Sequence, residues 1–97
     1  MGGSVAVRPY VFRIVVPRRD VNRVKWFFKI MEERGIKPVY TNMQSLFEQR
    51  RDLDVVEAIY VVTLERRERR KLERELARSL RGSIGFFVVH LYRSTVA

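Results

Sequence analysis

The chain contains no cysteine and a single histidine, and several kinds of functional site are excluded on that ground. Without cysteine there is neither a disulfide nor a thiolate metal site. His90 is the only histidine, so neither a histidine-pair metal site nor a Ser–His–Asp triad is corroborated by the sequence. The five glycines form no Gly-rich nucleotide-binding loop. We therefore predict no catalytic residues, no metal and no cofactor, and we expect that the protein is not an enzyme.

Long apolar runs are also absent. No run approaches the roughly 18 residues that a membrane-spanning helix needs, and no signal peptide leads the chain. We therefore predict a cytoplasmic protein with no membrane partner. Asparagine and glutamine together number four, and their scarcity, like the absence of cysteine, is typical of a hot-growing source. The composition thus predicts a protein from a thermophile.

Positive charge is what the chain has in excess. Lys and Arg number 20 against 11 Asp and Glu, and the formal net charge is +9. Sixteen of the basic residues are Arg, which binds phosphate bidentately and stacks on bases better than Lys does. With 46% hydrophobic and 32% charged residues over 97 positions, the composition is that of one folded domain. The charge predicts an anionic partner such as nucleic acid.

The apolar pattern predicts four strands and two helices in the order βαββαβ. The strands are predicted at 8–16, 37–48, 55–64 and 84–92, the helices at 20–34 and 65–81, and a turn at 49–54. Pro17 ends the first strand, Asp20 is expected to cap the first helix, and Gly35 and Gly82 end the two helices. Two split βαβ units of this kind predict an α+β ferredoxin-like sandwich, a four-stranded antiparallel sheet with both helices on one face.

One domain at 8–93 is predicted between a flexible start at 1–7 and a tail at 94–97. Near the hairpin that joins the second and third strands, the sequence brings three carboxylates close together. Oxygen ligands of this kind bind hard cations such as magnesium, whereas Asp also forms turns, which is the explanation we favour. The acidic residues in question are Asp52, Asp54 and Glu57.

The second helix carries the clearest functional pattern in the sequence. At 100° per residue, Leu72, Leu76 and Leu80 lie on one narrow stripe that must face the sheet. Basic residues with no acid among them lie around the opposite side, where like charges repel one another. Two explanations of this pattern are open. In the first, the basic side chains form a row that contacts successive phosphates of a nucleic acid. In the second, this is a solvated helix of a thermophile, in which Arg and Glu form surface networks. The predicted nucleic-acid-binding residues are Arg67, Arg70, Lys71, Arg74, Arg78 and Arg81, helped by Arg18, Arg19 and Arg23.

Strand alternation leaves the sheet face opposite the helices largely apolar. Such a face rarely stays bare, so it predicts either a sheet-packed homo-oligomer or a platform on which bases stack. Trp26 lies off the apolar stripe of the first helix, which predicts that the chain's tail covers it or, as we favour, that a partner interface buries it. The residues predicted for the oligomer interface or stacking face are Arg13, Ile59, Val61, Phe86, Val88, His90, Tyr92 and Trp26.

The run RGSIGFFV at 81–88 resembles the Arg-Gly-aromatic-Gly-Phe-Val core of the octapeptide in RNA-recognition motifs. In that family the octapeptide lies on the third strand, where exposed aromatic side chains stack on bases. Here it contains a two-residue insertion and falls on the fourth strand, and Phe12, the candidate first-strand aromatic, shares a face with core residues. The resemblance implies an RNA ligand, with stacking by Phe86, His90 and Tyr92.

The segment at 45–73 is similar in spacing to the hairpin and second helix of CutA and the PII signalling proteins, which are ferredoxin-like trimers. This chain lacks the His-Pro-Tyr run of CutA and the Gly-Asp-Gly turn of PII, so no metal or nucleotide role is carried over. The order of elements also resembles that of ACT regulatory domains, whose effector-binding glycine turn is replaced here by PRRD at 17–20. We favour a small basic nucleic-acid-binding protein, RNA ahead of DNA. The alternative is an oligomeric regulatory or scaffolding module of the ACT, PII or CutA kind, without nucleic-acid binding.

Overall fold

The structure, a computed structural model, describes residues 6–44 and 54–93. The strands are β1 (Val7–Pro17), β2 (Tyr40–Gln44), β3 (Val55–Glu65) and β4 (Phe86–Leu91). The α-helices are α1 (Lys25–Glu33) and α2 (Arg66–Ser79), and a 3-10 helix spans Arg18–Val24. The predicted order βαββαβ is therefore confirmed. Most of the predicted flexible start, most of the predicted turn, the last four residues of the predicted second strand and the tail lie outside the described residues.

The sheet is antiparallel throughout, with the strand order β2-β3-β1-β4. β1 pairs with β3 along its whole length, from Val7 opposite Glu65 to Pro17 opposite Val55. β4 lies along the other side of β1 and forms one edge of the sheet. Buried residues from both helices pack against the same face of the sheet. This is the ferredoxin-like α+β arrangement that the sequence predicted.

The core follows from side-chain alternation on the strands and helical spacing on the helices. Successive strand residues point to opposite faces, so the even-numbered side chains are buried from Tyr10 to Val16 on β1 and from Ala58 to Leu64 on β3, and the odd-numbered ones between them lie on the opposite face. Phe27 of α1 fills the centre, with its ring 5.4 Å from that of Phe12 and 5.5 Å from that of Tyr60, measured between centroids. The buried core residues are Tyr10, Phe12, Ile14, Val16, Val24, Phe27, Met31, Ala58, Tyr60, Val62, Leu64, Leu72, Leu76 and Leu80.

The start of the first helical segment differs from the prediction. A 3-10 helix follows Pro17 directly, α1 begins only at Lys25, and no side chain forms a capping hydrogen bond at either N-terminus. Asp20 is instead buried, accepting a hydrogen bond of 2.6 Å from Ser83 Oγ and lying 3.3 Å from Arg23 Nε. The carboxylate ties the 3-10 helix to the turn before β4, and this distant partner explains why it does not cap the helix.

Both helices end where glycine was expected to end them. Gly35 and Gly82 have φ angles of 73° and 81°, a left-handed conformation in which glycine carries no steric cost. β2 begins at Tyr40, three residues later than predicted. Within the described part of the chain, no helix has the length and apolar character needed to cross a membrane.

Candidate nucleic-acid interface

α2 packs on the sheet through its leucines and presents its basic side to solvent. Leu72 and Leu76 are buried, and Leu80 continues their stripe just beyond the helix. Side chains spaced three and four residues apart stack on one side of a helix, about one 5.4 Å turn from each other. The basic side chains therefore form a row about 20 Å long on the side away from the sheet. We call this row the basic ridge; its members, all exposed, are Arg67, Arg70, Lys71, Arg74, Arg78 and Arg81.

The beginning of α2 is closed by its own acidic residues. The Glu65 carboxylate accepts a hydrogen bond from the backbone N–H of Glu68, and the Glu68 carboxylate accepts one from the N–H of Glu65 at 3.3 Å. This reciprocal capping satisfies two N–H groups that lack helical partners and places negative charge at the positive end of the helix dipole. The arrangement explains why a helix rich in repelling arginines begins sharply at Arg66.

Two of the ion pairs that involve α2 lie beside the basic ridge rather than on it. Arg69 Nε lies 3.5 Å from Glu73 Oε1 on the flank that turns toward the sheet. Arg34, just beyond the end of α1, lies 3.3 Å from Glu68 on the opposite flank. These acids therefore neutralise neighbours of the ridge and not the ridge itself.

On the ridge, one ion pair is present among the described residues. Arg78 NH1 lies 3.4 Å from Glu75 Oε1, and both side chains are largely exposed, so this pair stabilises the fold by little. Within the same described ranges, the ridge cations with no carboxylate oxygen inside 4.0 Å are Arg67, Arg70, Lys71, Arg74 and Arg81. Among the described residues, the Arg–Glu network that would explain the ridge as a purely solvated surface is thus not formed along most of its length.

The arginines of the 3-10 helix differ in what they contact. Arg23 donates a hydrogen bond of 2.7 Å to the carbonyl oxygen of Arg81, so it lies at the C-terminal end of the ridge and extends it. Arg18 lies at the start of β3, 3.9 Å from the buried carboxylate of Asp54. Arg19 is exposed. The structure therefore brings Arg23 to the ridge, whereas Arg18 is held beside β3.

The sheet face opposite the helices, which we call the open face, is largely apolar. Arg13 of β1 lies between Ile59 of β3 and Val88 of β4 and forms an ion pair with Glu57. Tyr92 follows β4, is 45% exposed and donates its N–H to the carbonyl of Pro9. Of the predicted interface residues, the strand register places on this face Arg13, Ile59, Val61, Phe86, Val88 and His90.

The aromatic side chains of the open face lie at its edges. Phe86 is 47% exposed, and the guanidinium carbon of Arg13 lies 5.8 Å from its ring centroid. His90 shares this edge strand, whereas the central strands present aliphatic side chains such as Val61. The run at 81–88 is divided between a turn and β4, so it does not lie on one central strand as in RNA-recognition motifs. Tyr40 of β2 is opposite Ile59 and 45% exposed, so it places a further aromatic side chain at the other edge of the open face.

Trp26 lies on the helical side of the sheet and not on the open face. Its indole Nε1 donates a hydrogen bond of 2.8 Å to Ser79 Oγ of α2. Its ring meets Phe27 edge-on at 5.9 Å, and it lines a cavity of about 360 Å³ between the helices with Ile30 and Leu72. The second helix thus covers much of the indole, an explanation that the sequence reading did not include.

The two described acidic residues near the hairpin, Asp54 and Glu57, lie in different environments. Asp54 is 2% exposed and lies near Arg18 at the start of β3, whereas Glu57 lies on the open face with Arg13. Asp52 lies outside the described residues. Across 6–44 and 54–93, no group of three or more acidic or histidine side chains is placed to hold a metal ion.

Comparison with known proteins identifies no family for this chain. Neither a scan against protein-family models nor a search of curated proteins finds a match. Among solved structures, the chain is similar to the solution structure of the C-terminal domain of the MgtC protein from Mycobacterium tuberculosis. The two are 15% identical, the alignment covers 94% of this chain and 92% of that one, and the TM-score is 0.46. The assignment to the ferredoxin-like fold rests on the strand order described above.

Proposed function

We propose that this chain is a small basic nucleic-acid-binding protein that contacts phosphates through the basic ridge. The observation that carries the proposal is the row of ridge cations without neighbouring carboxylates in the described structure. Like charges at three- and four-residue spacing destabilise a helix by a few tenths of a kcal/mol per pair. A polyanion lying along α2 removes that repulsion and releases its own condensed counterions, which favours binding.

RNA is the favoured nucleic acid because the ridge borders a strand edge with exposed aromatic groups. Arg70 and Arg74 line a shallow cavity together with Phe87 of β4. On the other side of the same edge strand, Phe86 and His90 are exposed. A single strand that leaves the ridge and crosses the β4 edge would reach both, and unpaired bases are available for stacking in single-stranded RNA.

Salt-dependent binding of labelled nucleic acids tests the proposal. Fluorescence anisotropy would be measured for a single-stranded RNA and a DNA duplex across a range of salt concentrations. The wild type would be compared with a variant carrying Ala at four ridge positions, Arg67, Arg70, Arg74 and Arg78. If all four contact phosphates, the slope of log affinity against log salt should flatten by about 3 to 4. At equal salt, RNA should bind more tightly than the duplex.

A matched variant distinguishes binding through the ridge from a general effect of the protein's net charge. Ala at Lys25, Lys29, Lys37 and Arg93 removes four exposed positive charges that lie off α2. This control should change the salt slope by less than about 1. Equal slopes in the wild type and the ridge variant, or equal losses in both variants, would contradict binding through the ridge. No binding near physiological salt would contradict the nucleic-acid function altogether.

A second candidate function is an oligomeric regulatory or scaffolding module, and the open face favours it. The face combines aliphatic side chains on β1 and β3 with the exposed Phe86 and Val88 on β4. From strand spacing and rise, its area is on the order of 500 Å² per copy. Two copies packed sheet to sheet would bury roughly 1,000 Å², the lower end for a specific interface. This is the surface through which we propose that the chain self-associates.

The oligomeric state in solution tests this second candidate. Sedimentation or light scattering should give an oligomer for the wild type and a monomer for Val88→Arg, which places a charge on the open face. Ala77→Arg, at an exposed position on α2, is the matched control and should keep the oligomer. A monomeric wild type at tens of micromolar, or equal dissociation of both variants, would rule out assembly through the open face.

A further inference from the structure

A cavity of about 370 Å³ lies at one end of the molecule, between the first turn of α2 and the sheet. The sheet side is formed by Tyr10 and Leu91, which are opposite each other on β1 and β4. The helix side is formed by Arg66 and Arg69, neither of which belongs to the basic ridge. The described residues that line the cavity are Ala6, Arg8, Tyr10, Arg66, Arg69 and Leu91.

Three arginines, Arg8, Arg66 and Arg69, therefore line one small space, and no acidic residue is among the described lining residues. The nearby acids have partners: Glu65 caps α2, and Glu68 closes the capping box and pairs with Arg34. Glu73 lies 3.5 Å from Arg69 Nε, so Arg8 and Arg66 are the lining arginines with no carboxylate oxygen inside 4.0 Å in the described structure. The helix dipole adds little here because Glu65 already occupies that end of α2. The excess positive charge of this site is a property of its side chains.

Arg69 is the most constrained of the three. Its guanidinium carbon lies 5.0 Å from the Tyr10 ring centroid, so the aromatic face holds it in place. Its Nε is buried and has no hydrogen-bond partner within the described part of the chain, and the Glu73 oxygen at 3.5 Å does not meet hydrogen-bond geometry. Because Nε is enclosed while the side chain as a whole is 33% exposed, the other guanidinium N–H groups are the donors that remain for an anion with several acceptor oxygens.

We propose that this cavity is a binding site for a phosphomonoester. A monoester carries about −1.5 to −2 charges at neutral pH and three terminal oxygens, which match a cavity lined by three arginines better than the single charge of a diester does. The tyrosine below Arg69 is buried and therefore offers no free face to a base, so recognition is directed at the phosphate. Two sources supply this chemistry: the phosphorylated end of an oligonucleotide and a small phosphorylated metabolite. The site is distinct from the basic ridge, and the proposal does not depend on it.

Calorimetric titration of the intact chain with small phosphates tests the site directly. The probes are methyl phosphate, a monoester, and dimethyl phosphate, a diester. Methyl phosphate should bind at one site, and dimethyl phosphate should bind about tenfold more weakly or not at all. Ala at both Arg8 and Arg66, which are exposed and can be changed without disturbing the core, should weaken methyl phosphate binding by about tenfold or more.

The control is a variant with Ala at Arg70 and Arg74, which also removes two positive charges, both from α2, but leaves the cavity intact. It should bind methyl phosphate within about twofold of the wild type, since only long-range screened charge changes. Loss of methyl phosphate binding to the same extent in both variants, equal affinity for the monoester and the diester, or no monoester binding by the wild type would overturn the proposal.

A pair of RNAs that differ only in a 5′-phosphate shows whether the natural phosphomonoester is an RNA end or a small phosphorylated molecule. If an RNA end occupies the cavity, the phosphorylated RNA should bind more tightly than its 5′-hydroxyl twin, and the Arg8 and Arg66 variant should abolish that difference. If methyl phosphate binds but the two RNAs do not differ, the natural ligand is a small phosphorylated molecule. A failure of RNA to bind at all would affect the ridge proposal and leave the methyl phosphate result interpretable by itself.

Discussion

Arg13 of β1 and Glu57 of β3 form an ion pair across the open face, with Arg13 Nε as the donor. In the register Arg13 is opposite Ile59, so the pair is diagonal, a spacing that long side chains reach. Their side chains are 44% and 21% exposed, which limits the contribution of the pair to roughly 0 to 1 kcal/mol in the isolated chain. Burial of this face in an oligomer would make an unpaired charge there far more costly.

Charge-reversal variants, made singly and together, measure how much the ion pair between Arg13 and Glu57 contributes to stability. Arg13→Glu places two carboxylates near each other and should lower the free energy of unfolding by about 1 kcal/mol or less. Adding Glu57→Arg should restore most of that loss. Urea denaturation of the wild type, both single variants and the double variant measures the coupling. A double variant no more stable than either single variant would show that the pair contributes nothing.

The buried Asp20 should matter more than any exposed ion pair. Asp20→Ala leaves the Ser83 hydroxyl without its acceptor and removes a partner of Arg23. We expect a loss of about 1 to 3 kcal/mol in the free energy of unfolding, because buried polar groups lose their hydrogen bonds. Urea denaturation measures it, with Asp20→Asn, which keeps the shape and one acceptor, expected to be milder. A loss below about 0.5 kcal/mol, as at ordinary surface sites, would contradict a structural role.

Gly85 and Gly82 are required for different reasons. A Cβ at Gly85 would lie 2.8 Å from Val16 Cγ1 and 3.0 Å from the backbone oxygen of Val15, so Gly85→Ala should cost about 1 to 3 kcal/mol. A Cβ at Gly82 meets nothing within 4 Å, but φ is +81°, so Gly82→Ala should cost about 1 kcal/mol from conformation alone.

Substitution by asparagine distinguishes the reasons for which the two glycines are required, because asparagine tolerates the left-handed conformation better than alanine does. Thermal or urea unfolding should therefore show Gly82→Asn as milder than Gly82→Ala. At Gly85 the order should reverse, since the larger side chain worsens the contact. The same order of Asn and Ala at both positions would contradict this assignment.

The raised pKa of Tyr60 predicts a loss of stability at alkaline pH. Burial, and to a lesser degree the negative charge of Glu32, raises the pKa of Tyr60 above its ordinary value of 10.0. Below pH 10 both the folded and unfolded states hold the phenol proton, and the contribution is fully present. Above it the unfolded state releases the proton first, so the contribution is lost as pH rises through the raised pKa.

Tyr60→Phe isolates that effect. The difference in unfolding free energy between the wild type and this variant should move against the wild type between about pH 9 and pH 11. Urea denaturation across this range, with Tyr40→Phe as an exposed control, measures it. Parallel pH profiles of unfolding free energy for the wild type and Tyr60→Phe would show that the phenol titrates alike in the folded and unfolded states.

Much of the fold was predictable because it depends on local periodicity. Alternation along β1 and β3 identified the buried face, the leucine spacing oriented α2, and Gly35 and Gly82 marked the helix ends. The position of the basic ridge follows from the same helical spacing, since the side of a helix opposite its buried stripe is exposed. Its function as a phosphate-binding surface stays a prediction.

Sequence periodicity did not locate the contacts of side chains whose partners are distant in the chain. Asp20 was expected to act as a cap, but its partner Ser83 is 63 residues away. Trp26 was assigned to a partner or the tail, whereas Ser79, 53 residues away, accepts its hydrogen bond. Asp54 and Glu57 are close in sequence, yet one is buried and the other lies on the open face.

By itself, the sequence determined the order of elements, the two faces of the sheet and the exposed basic side of α2. Period-two and period-3.6 patterns decide these features within a single element. Only the tertiary structure decided that Arg8, Arg66 and Arg69 border one cavity and that α2 covers Trp26. Those contacts depend on how a helix end sits over a strand end, and this placement is set by the packing of the whole core.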